Sequence, residues 1–338
     1  MAAAGALAAL LLFAVLLGGG TAGRAPDRLF VTDRRGGRVV ALDAHDGARL
    51  AAAPVGEAPT SICYDAARDR LYVMLRDSIA AVDPRTLQVL DRWMAPQPLG
   101  AQPGLALDTR RARLYVAQPG GIVVLALDGP ELSLVDTIAL SGAPSGLAVA
   151  PDGKTLYALA PDQGKLWTIA AEGDTIQRDS LELAEPGSSS LGYLALSRDG
   201  ASIYVLLTGA ADGRATLWRV EPPGRVAATA RLAERPLPWD VEALDTGQVA
   251  IPRGDGATGG VELVDGRTLA TAARLDPQRD QHHVAAGPSG AAFGLNFTSE
   301  DVTRFDTRQR AIVWRTPASA DWQPWDAVYV PGGWRWPF

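Results

Sequence analysis

Residues 144–157 read PSGLAVAPDGKTLY, and this stretch decides the fold. Two short apolar runs, 147–149 and 156–158, lie on either side of the turn sequence Pro151-Asp152-Gly153. Short runs of aliphatic and aromatic residues between Gly and Asp turns are typical of β-strands rather than helices. The stretch therefore predicts two consecutive strands joined by a tight turn.

The second of these strands recurs along the chain at spacings of 42 to 47 residues. Six of the seven copies carry an aromatic residue at the centre. The copies occupy residues 29–31, 71–73, 114–116, 156–158, 203–205, 249–251 and 292–294. A fixed period of this length is the signature of a repeat architecture.

Each copy is followed by a second apolar stretch, which in six of the copies ends in an acidic residue. These acids are Asp43, Asp83, Asp128, Glu221, Asp265 and Asp306, and the fourth copy has Ala170 instead. An Asp that leaves a strand can accept a hydrogen bond from the backbone two residues further on, which starts a tight turn. We therefore expect these acids to have a structural role rather than a catalytic one.

A third strand and a short apolar strand after a Pro/Gly loop complete each unit, giving four strands per repeat. Seven such repeats predict an all-β, seven-bladed β-propeller with four antiparallel strands per blade. The first copy lacks the strand before Leu29, and the chain ends just after an extra one at 325–330. This C-terminal strand is expected to join the N-terminal blade and close the ring, which leaves no free sheet edge there. Residues 24–338 are expected to form one domain.

The blade pattern resembles the YVTN family of seven-bladed propellers. The residues that carry the resemblance are 144–157, together with Leu114–Ala117 and Ala81–Asp83. The family includes surface proteins and companions of redox systems, and related propellers include lactonases and the large subunits of quinoprotein amine dehydrogenases. The resemblance implies the fold and leaves the activity open.

The N-terminal segment and the net charge indicate the cellular location of the protein and the classes of partner that it can bind. Residues 1–23 carry no charged side chain, and their apolar core, 6–17, is shorter than the roughly 20 residues that a membrane span needs. They predict a signal peptide, an exported protein in the periplasm or outside the cell, and no membrane span after cleavage; the alternatives are an uncleaved anchor and a wrongly assigned start codon. The net charge of −6 argues against nucleic-acid binding, and the single cysteine, Cys63, excludes an intramolecular disulfide. We expect a monomer.

Two columns of residues are expected to face the channel, because the loop that enters each innermost strand opens onto one face of a propeller. The first column is Thr60, Pro103, Ser145, Gly192, Trp239, His282 and Trp325. The second column is Ser61, Gly104, Gly146, Tyr193, Asp240, His283 and Asp326. The early positions are small, whereas the last three in each column are Trp, His and Asp.

This asymmetry predicts that Asp240, His283 and Asp326 face one another at one mouth of the channel. Two carboxylates and an imidazole can hold a divalent metal ion, and they can also act as an acid–base set. Surrounded by Tyr193 and the three aromatic residues of the other column, Trp239, His282 and Trp325, they can form a ligand pocket. The alternative is structural: residues there can bond neighbouring blades, and large aromatics can plug the channel.

Three functions follow. The leading one is an exported, non-catalytic propeller that binds a protein partner or a small ligand through one face of the channel. The second is a lactonase-like or lyase-like hydrolytic propeller that uses Asp240, His283 and Asp326, with or without a divalent ion. The third is an accessory subunit of a periplasmic redox enzyme, whose cofactor a partner would carry.

Overall fold

The structure is a computed structural model that describes residues 26–99, 104–129, 131–170, 177–209, 214–255, 258–276, 278–296 and 298–333. The predicted signal peptide at 1–23 lies outside the described residues. Seven antiparallel sheets in the described part of the chain form a ring, so the prediction of a seven-bladed β-propeller is confirmed. No helix among these residues is long and apolar enough to cross a membrane.

The strands follow the predicted repeat, and each blade is given from its innermost to its outermost strand. Blade 1 contains β29 (Pro324–Val330), β1 (Arg28–Asp33), β2 (Arg38–Asp43) and β3 (Arg49–Pro54). Blade 2 contains β4 (Ser61–Asp65), β5 (Arg70–Met74), β6 (Ser78–Val82) and β7 (Val89–Met94). Blade 3 contains β8 (Leu105–Asp108), β9 (Arg113–Gln118), β10 (Gly121–Ala126) and β11 (Ser133–Ala139). Blade 4 contains β12 (Gly146–Val149), β13 (Thr155–Ala160), β14 (Lys165–Ala170) and β15 (Arg178–Glu182).

The remaining blades keep this order, with one irregularity. Blade 5 contains β16 (Ser189–Leu196), β17 (Ile203–Gly209), β18 (Ala215–Glu221) and β19 (Arg225–Arg231). Blade 6 has a split innermost strand, β20 (Leu237–Pro238) and β21 (Glu242–Ala243), followed by β22 (Gln248–Gly254), β23 (Gly259–Asp265) and β24 (Thr271–Leu275). Blade 7 contains β25 (His283–Ala286), β26 (Ala291–Asn296), β27 (Asp301–Asp306) and β28 (Ala311–Arg315). Two single-turn 3-10 helices are present at Pro161–Gln163 and Pro288–Gly290.

The ring closes as the sequence predicts. Strand β29 pairs antiparallel with β1, and Tyr329 lies opposite Leu29. The hydroxyl of Thr32 reinforces the pair, because it accepts the N–H of Asp326 at 2.9 Å and donates to its carbonyl at 3.1 Å. The first and last described strands, β1 and β29, therefore stabilise each other within one sheet.

The core is divided among the blade interfaces. Each of seven apolar clusters joins two neighbouring blades in the described part of the chain. Between blades 6 and 7, for example, Val261 and Leu263 pack with Ala292 and Phe305. These side chains come from the second and third strands, where both sheet faces are covered, which explains their continuous apolar runs. The blades thus hold each other in register around the channel.

The predicted turn role of the acidic residues is confirmed at four positions. Each carboxylate accepts a hydrogen bond from the backbone N–H two residues further on, at 2.7 to 3.1 Å. These residues are Asp43, Asp83, Asp265 and Asp306. They start the turns between the third and fourth strands of their blades, far from the channel.

Candidate functional site

The split innermost strand of blade 6 shapes the site. The N–H of Trp239 donates to the carbonyl of Pro252 at 3.0 Å, and pairing resumes at Glu242 opposite Ala250. Between these points the Asp240 carboxylate accepts the N–H of the next residue, Val241, at 2.8 Å. This local bond replaces ladder pairing where the strand is interrupted, a common use of Asp side chains.

A cavity of about 810 Å³ occupies the central channel. At one end it reaches Asp240, Asp326 and Tyr193, and at the other it reaches residues at the ends of the innermost strands, such as Leu196 and Pro331. We call the face where the innermost strands begin the start face, and the face where they end the end face. The cavity therefore extends to the end face, whereas the two columns were expected to form a mouth at the start face.

Asp240 and Asp326 make the same pair of contacts at two places in the ring. Asp326 accepts the N–H of Ala327 at 2.8 Å and, across the blade boundary, the N–H of Ile62 in blade 2 at 3.0 Å. Asp240 likewise accepts a hydrogen bond from the N–H of the next residue, Val241, and one from the N–H of Val284 in blade 7 at 3.3 Å. The innermost strand of each blade has an unpaired edge in the channel, and these carboxylates satisfy its donors. Part of the role of these two carboxylates is therefore structural: they connect neighbouring blades, as the structural alternative expected.

Glu242 is a third carboxylate on the cavity wall, and it was absent from the predicted site. The backbone N–H of Ala286 in blade 7 lies near its carboxyl and lowers its pKa, and Glu242 follows Asp240 by two residues. Burial, followed by the charges of Asp240 and Asp326, raises its pKa to about 8. Burial and the charge of Asp240 also raise the pKa of Asp326, to about 6, against the opposing effects of His283 and backbone donors. The three acids therefore share one electrostatic environment.

His283 approaches this group without lining the cavity. Its Nδ1 lies 3.5 Å from Oδ2 of Asp240, and its ring packs edge-on against Tyr193 with centroids 6.4 Å apart. On its other side it contacts Trp325, at 5.4 Å between ring centroids. The structure thus brings the predicted Asp240, His283 and Asp326 into one neighbourhood, with the imidazole inside the wall.

The aromatic residues of the first column cover the start face of the channel. Trp239 lies 5.4 Å from the ring of His282, and its Nε1–H donates to the carbonyl of Gly254 at 2.8 Å. Burial and the nearby His283 lower the pKa of His282 to about 3, so this imidazole is neutral at pH 7. Trp325 is covered by the guanidinium of Arg34, 4.1 Å from its ring centroid. None of these residues lines the cavity.

In the described part of the chain, no group of three or more His, Cys, Asp or Glu side chains meets in an arrangement that could hold a metal ion. Asp240, His283 and Asp326 are neighbours, but they do not converge on one point as metal ligands must. The metal site predicted from these three residues therefore stays a proposal without geometric support.

The small residues of the two columns allow close backbone contact. A Cβ on Gly146 would lie 2.8 Å from Cβ of Leu194 in the next blade, so only glycine fits there. Ser145 bridges the same two blades through its hydroxyl, which donates to the carbonyl of Gly192 at 3.1 Å. Pro103, the second member of the first column, lies outside the described residues.

Comparisons with solved structures show similar folds. A 6-phosphogluconolactonase-like protein of Bacteroides fragilis has a TM-score of 0.69 and 15% identity, over 92% of this chain and 100% of that chain. Hydrazine synthase of Kuenenia stuttgartiensis has a TM-score of 0.67 and 17% identity, over 79% and 88%. Virginiamycin B lyase of Staphylococcus aureus has a TM-score of 0.59 and 13% identity, over 77% and 84%. No protein-family profile and no curated protein sequence matches the chain. At these identities the likeness establishes the propeller fold alone.

Proposed function

We propose that this propeller is a binding protein that holds a small molecule in its central channel. The observation that carries the proposal is the cavity of about 810 Å³ among Tyr193, Asp240, Glu242 and Asp326. Its volume falls within the range of roughly 300–1,000 Å³ that is typical of small-molecule sites. Its wall combines polar groups with apolar strand residues such as Leu147 and Val284, which can fix a ligand and bury part of its surface.

A small ligand agrees with this geometry better than a protein partner. Trp239 and Trp325, the aromatic residues that a partner was expected to contact, are packed against neighbours at the start face. The acidic residues Asp240, Glu242 and Asp326 instead line the interior of a concave channel, which a folded protein surface cannot enter. The proposal therefore moves the binding site from the predicted mouth at the start face to the channel interior.

Hydrolysis and a role beside a redox enzyme remain alternatives that rest on likeness of fold alone. Both Asp240 and Asp326 are held by backbone donors, and His283 lies within the wall rather than on the cavity surface. No observation on the described residues favours either alternative over simple binding.

The proposal is tested by screening small polar metabolites against the mature protein and measuring the shift in melting temperature. Compounds that raise it are then tested on Tyr193→Phe, which removes one hydroxyl from the cavity wall. The matched control is Tyr115→Phe, a tyrosine of similar burial outside the cavity. We expect compounds whose binding weakens in Tyr193→Phe and not in the control. A screen without such compounds overturns the proposal.

We also propose export and membership of the YVTN family. Residues 1–23 and the motif at 144–157 support them. Fractionation of native cells and N-terminal sequencing test export: a mature chain beginning between residues 22 and 25 supports it. An intact N-terminus on cytoplasmic protein contradicts it.

A further inference from the structure

We propose that the ligand is an organic cation whose ammonium group lies among the carboxylates of Asp240, Glu242 and Asp326. This inference rests on the proposed function, because it names the class of molecule that the channel takes. Four observations support it. They are the charge of the cavity lining, the free acceptor sites of the three acidic side chains, two hydroxyls on the cavity wall, and the lack of a metal-ligand arrangement among the described residues.

The described lining of the cavity carries five acidic side chains and one basic side chain. Two of the acids, Asp27 and Asp245, lie at the end face and are occupied by structural bonds. Asp27 accepts the Tyr329 hydroxyl and the N–H of Gly332, and Asp245 accepts two N–H groups of the Pro288–Gly290 turn. The basic residue, Arg198, lies on the exposed turn after β16. The interior therefore carries acidic groups without a basic partner on its wall.

The three inner carboxylates are fixed in place yet keep acceptor capacity. Asp326 is anchored by the backbone N–H of Ile62 and Asp240 by that of Val284, each in the next blade. The backbone N–H of Ala286 lies near Glu242 and lowers its pKa. A carboxylate has about four lone-pair sites, and one or two N–H bonds leave the others for a ligand. Such preorganised acceptors bind a cation without first losing side-chain freedom.

Two hydroxyls on the same wall point independently to a polar ligand. Tyr193 is 7% exposed and Ser61 is 4% exposed, and both line the cavity. Neither hydroxyl has a hydrogen-bond partner among the described residues. Buried tyrosine hydroxyls usually have one, because leaving the group unpaired costs free energy. A ligand with N–H donors and a second polar group would satisfy these hydroxyls together with the carboxylates.

The electrostatic environment favours a positive ligand over a neutral or negative one. Burial, followed by the charges of Asp240 and Asp326, raises the pKa of the Glu242 carboxyl to about 8, so Glu242 is largely protonated at neutral pH and a further negative charge beside Asp240 and Asp326 is unfavourable. A cation placed among the three groups relieves this repulsion, whereas an anion increases it. A neutral molecule of the same shape gains only the hydrogen bonds.

An ammonium group fits this arrangement better than a metal ion. A metal needs several ligands at about 2.0–2.6 Å from one point. The described residues offer no such set. An ammonium group forms charge-assisted hydrogen bonds at about 2.7–2.9 Å, and its donors can reach carboxylates that point from different blades.

The test measures binding of three probes with one carbon skeleton and different charge: benzylamine, benzyl alcohol and benzoate. Isothermal titration calorimetry of the mature protein at neutral pH and low salt gives each affinity. We expect benzylamine to bind at least about tenfold more tightly than benzyl alcohol, a difference of about 1.4 kcal/mol. We expect no measurable binding of benzoate.

Variants then locate the ammonium group. Asp326→Asn and Asp240→Asn keep an acceptor for the backbone and remove a charge, so we expect each to weaken benzylamine about tenfold and benzyl alcohol by a clearly smaller factor. The control is Asp152→Asn, an exposed carboxylate on a turn outside the cavity.

The inference is overturned if benzylamine does not bind, if it binds no better than benzyl alcohol, or if the two Asn variants leave its affinity unchanged. It is also overturned if Mg²⁺, Ca²⁺ or Zn²⁺ alone displaces benzylamine while binding far more tightly. Neutral or anionic compounds that depend on Tyr193 in the metabolite screen would overturn the inference and leave the proposed function intact. Absence of any channel ligand would overturn both.

Discussion

The two sides of the ring use the same repeat position in different ways. In blade 4 this position is Gly146, which lets the next blade approach until a Cβ would lie 2.8 Å from Leu194. In blades 6 and 1 it is Asp240 and Asp326, whose carboxylates reach across to N–H groups of the next blade. Both solutions connect neighbouring blades. The aspartates of blades 6 and 1 also place charge and free hydrogen-bond acceptors in the channel, which Gly146 does not. A ligand that is recognised by charge is therefore expected on the side of blades 6 and 1.

The largest effect on stability is expected from Asp326→Ala. The change removes the acceptor for the N–H groups of Ile62 and Ala327, and each unsatisfied buried donor costs about 1–3 kcal/mol. We expect the free energy of unfolding to fall by about 3 kcal/mol in chemical denaturation. Asp326→Asn, which keeps an oxygen acceptor, should lose about 1 kcal/mol. Equal losses in the two variants would show that the bridge between blades is not made by these hydrogen bonds.

On the other side of the ring, Gly146→Ala tests close contact rather than hydrogen bonding. The added Cβ would lie 2.8 Å from Cβ of Leu194 and 3.2 Å from its backbone nitrogen, so one innermost strand must shift. We expect a loss of about 2 kcal/mol in the free energy of unfolding. The control is Gly224→Ala, where the new methyl group meets nothing within 4 Å, with a change below about 0.5 kcal/mol. A neutral Gly146→Ala would contradict the proposed close packing.

A change of pH separates the charge on the carboxylate side from its hydrogen bonds. The pKa of Glu242 is raised from 4.5 to about 8, so the folded protein binds more protons than the unfolded chain between these values. Stability should therefore fall as the pH rises through this window and level off above about 8. Between pH 7 and about 8, the pKa of Asp326, about 6, and both values for His282, about 3 when folded and 6.5 as its ordinary value, lie below the window, so the slope there reports mainly on Glu242.

Within that window we expect the wild type to lose about 0.5 kcal/mol, because one pH unit corresponds to about 1.4 kcal/mol at most, Glu242 is half ionised at the upper end, and water in the channel screens it. Glu242→Gln cannot ionise, so its free energy of unfolding should stay level over the same window. Denaturant titrations of both proteins at several pH values make the comparison. The same slope in both proteins would assign the pH dependence to another group.

The sequence predicted the fold well because a propeller repeats its local pattern. The strand copies, the turn-forming Asp43 and Asp83, and ring closure by the strand that contains Tyr329 all depend on short-range patterns and a fixed period. The split of the innermost strand in blade 6 was not predicted. It depends on how residues 239–241 bond with β22 and with their own backbone, and a repeat pattern does not specify this.

The site was predicted in part. Aligning the repeats brought Asp240, His283 and Asp326 into one neighbourhood, but alignment cannot show that His283 lies within the wall or that the cavity extends to the end face. Those features depend on how aromatic rings of different blades pack. Glu242 was missed, although side chains two residues apart on a strand share a face. An acid at that spacing from Asp240 was a usable signal for a third channel carboxylate.

The smallest effect is expected from Ser145→Ala, which removes the one hydroxyl bridge described on the glycine side of the ring. Its Oγ–H donates to the carbonyl of Gly192 at 3.1 Å, so this bond joins blades 4 and 5 as Asp326 joins blades 1 and 2. A neutral hydrogen bond of this kind contributes about 0.5–1.5 kcal/mol, and the adjoining cavity gives water access to the freed carbonyl. We therefore expect a loss of about 0.5 kcal/mol in chemical denaturation, well below that of Asp326→Ala. A loss as large as that of Asp326→Ala would mean that the hydroxyl and the carboxylate connect the blades equally well. In that case a hydroxyl would be enough to connect two blades, and blade contact would not explain why carboxylates occupy positions 240 and 326. Ligand binding would then be the better explanation for these two acids.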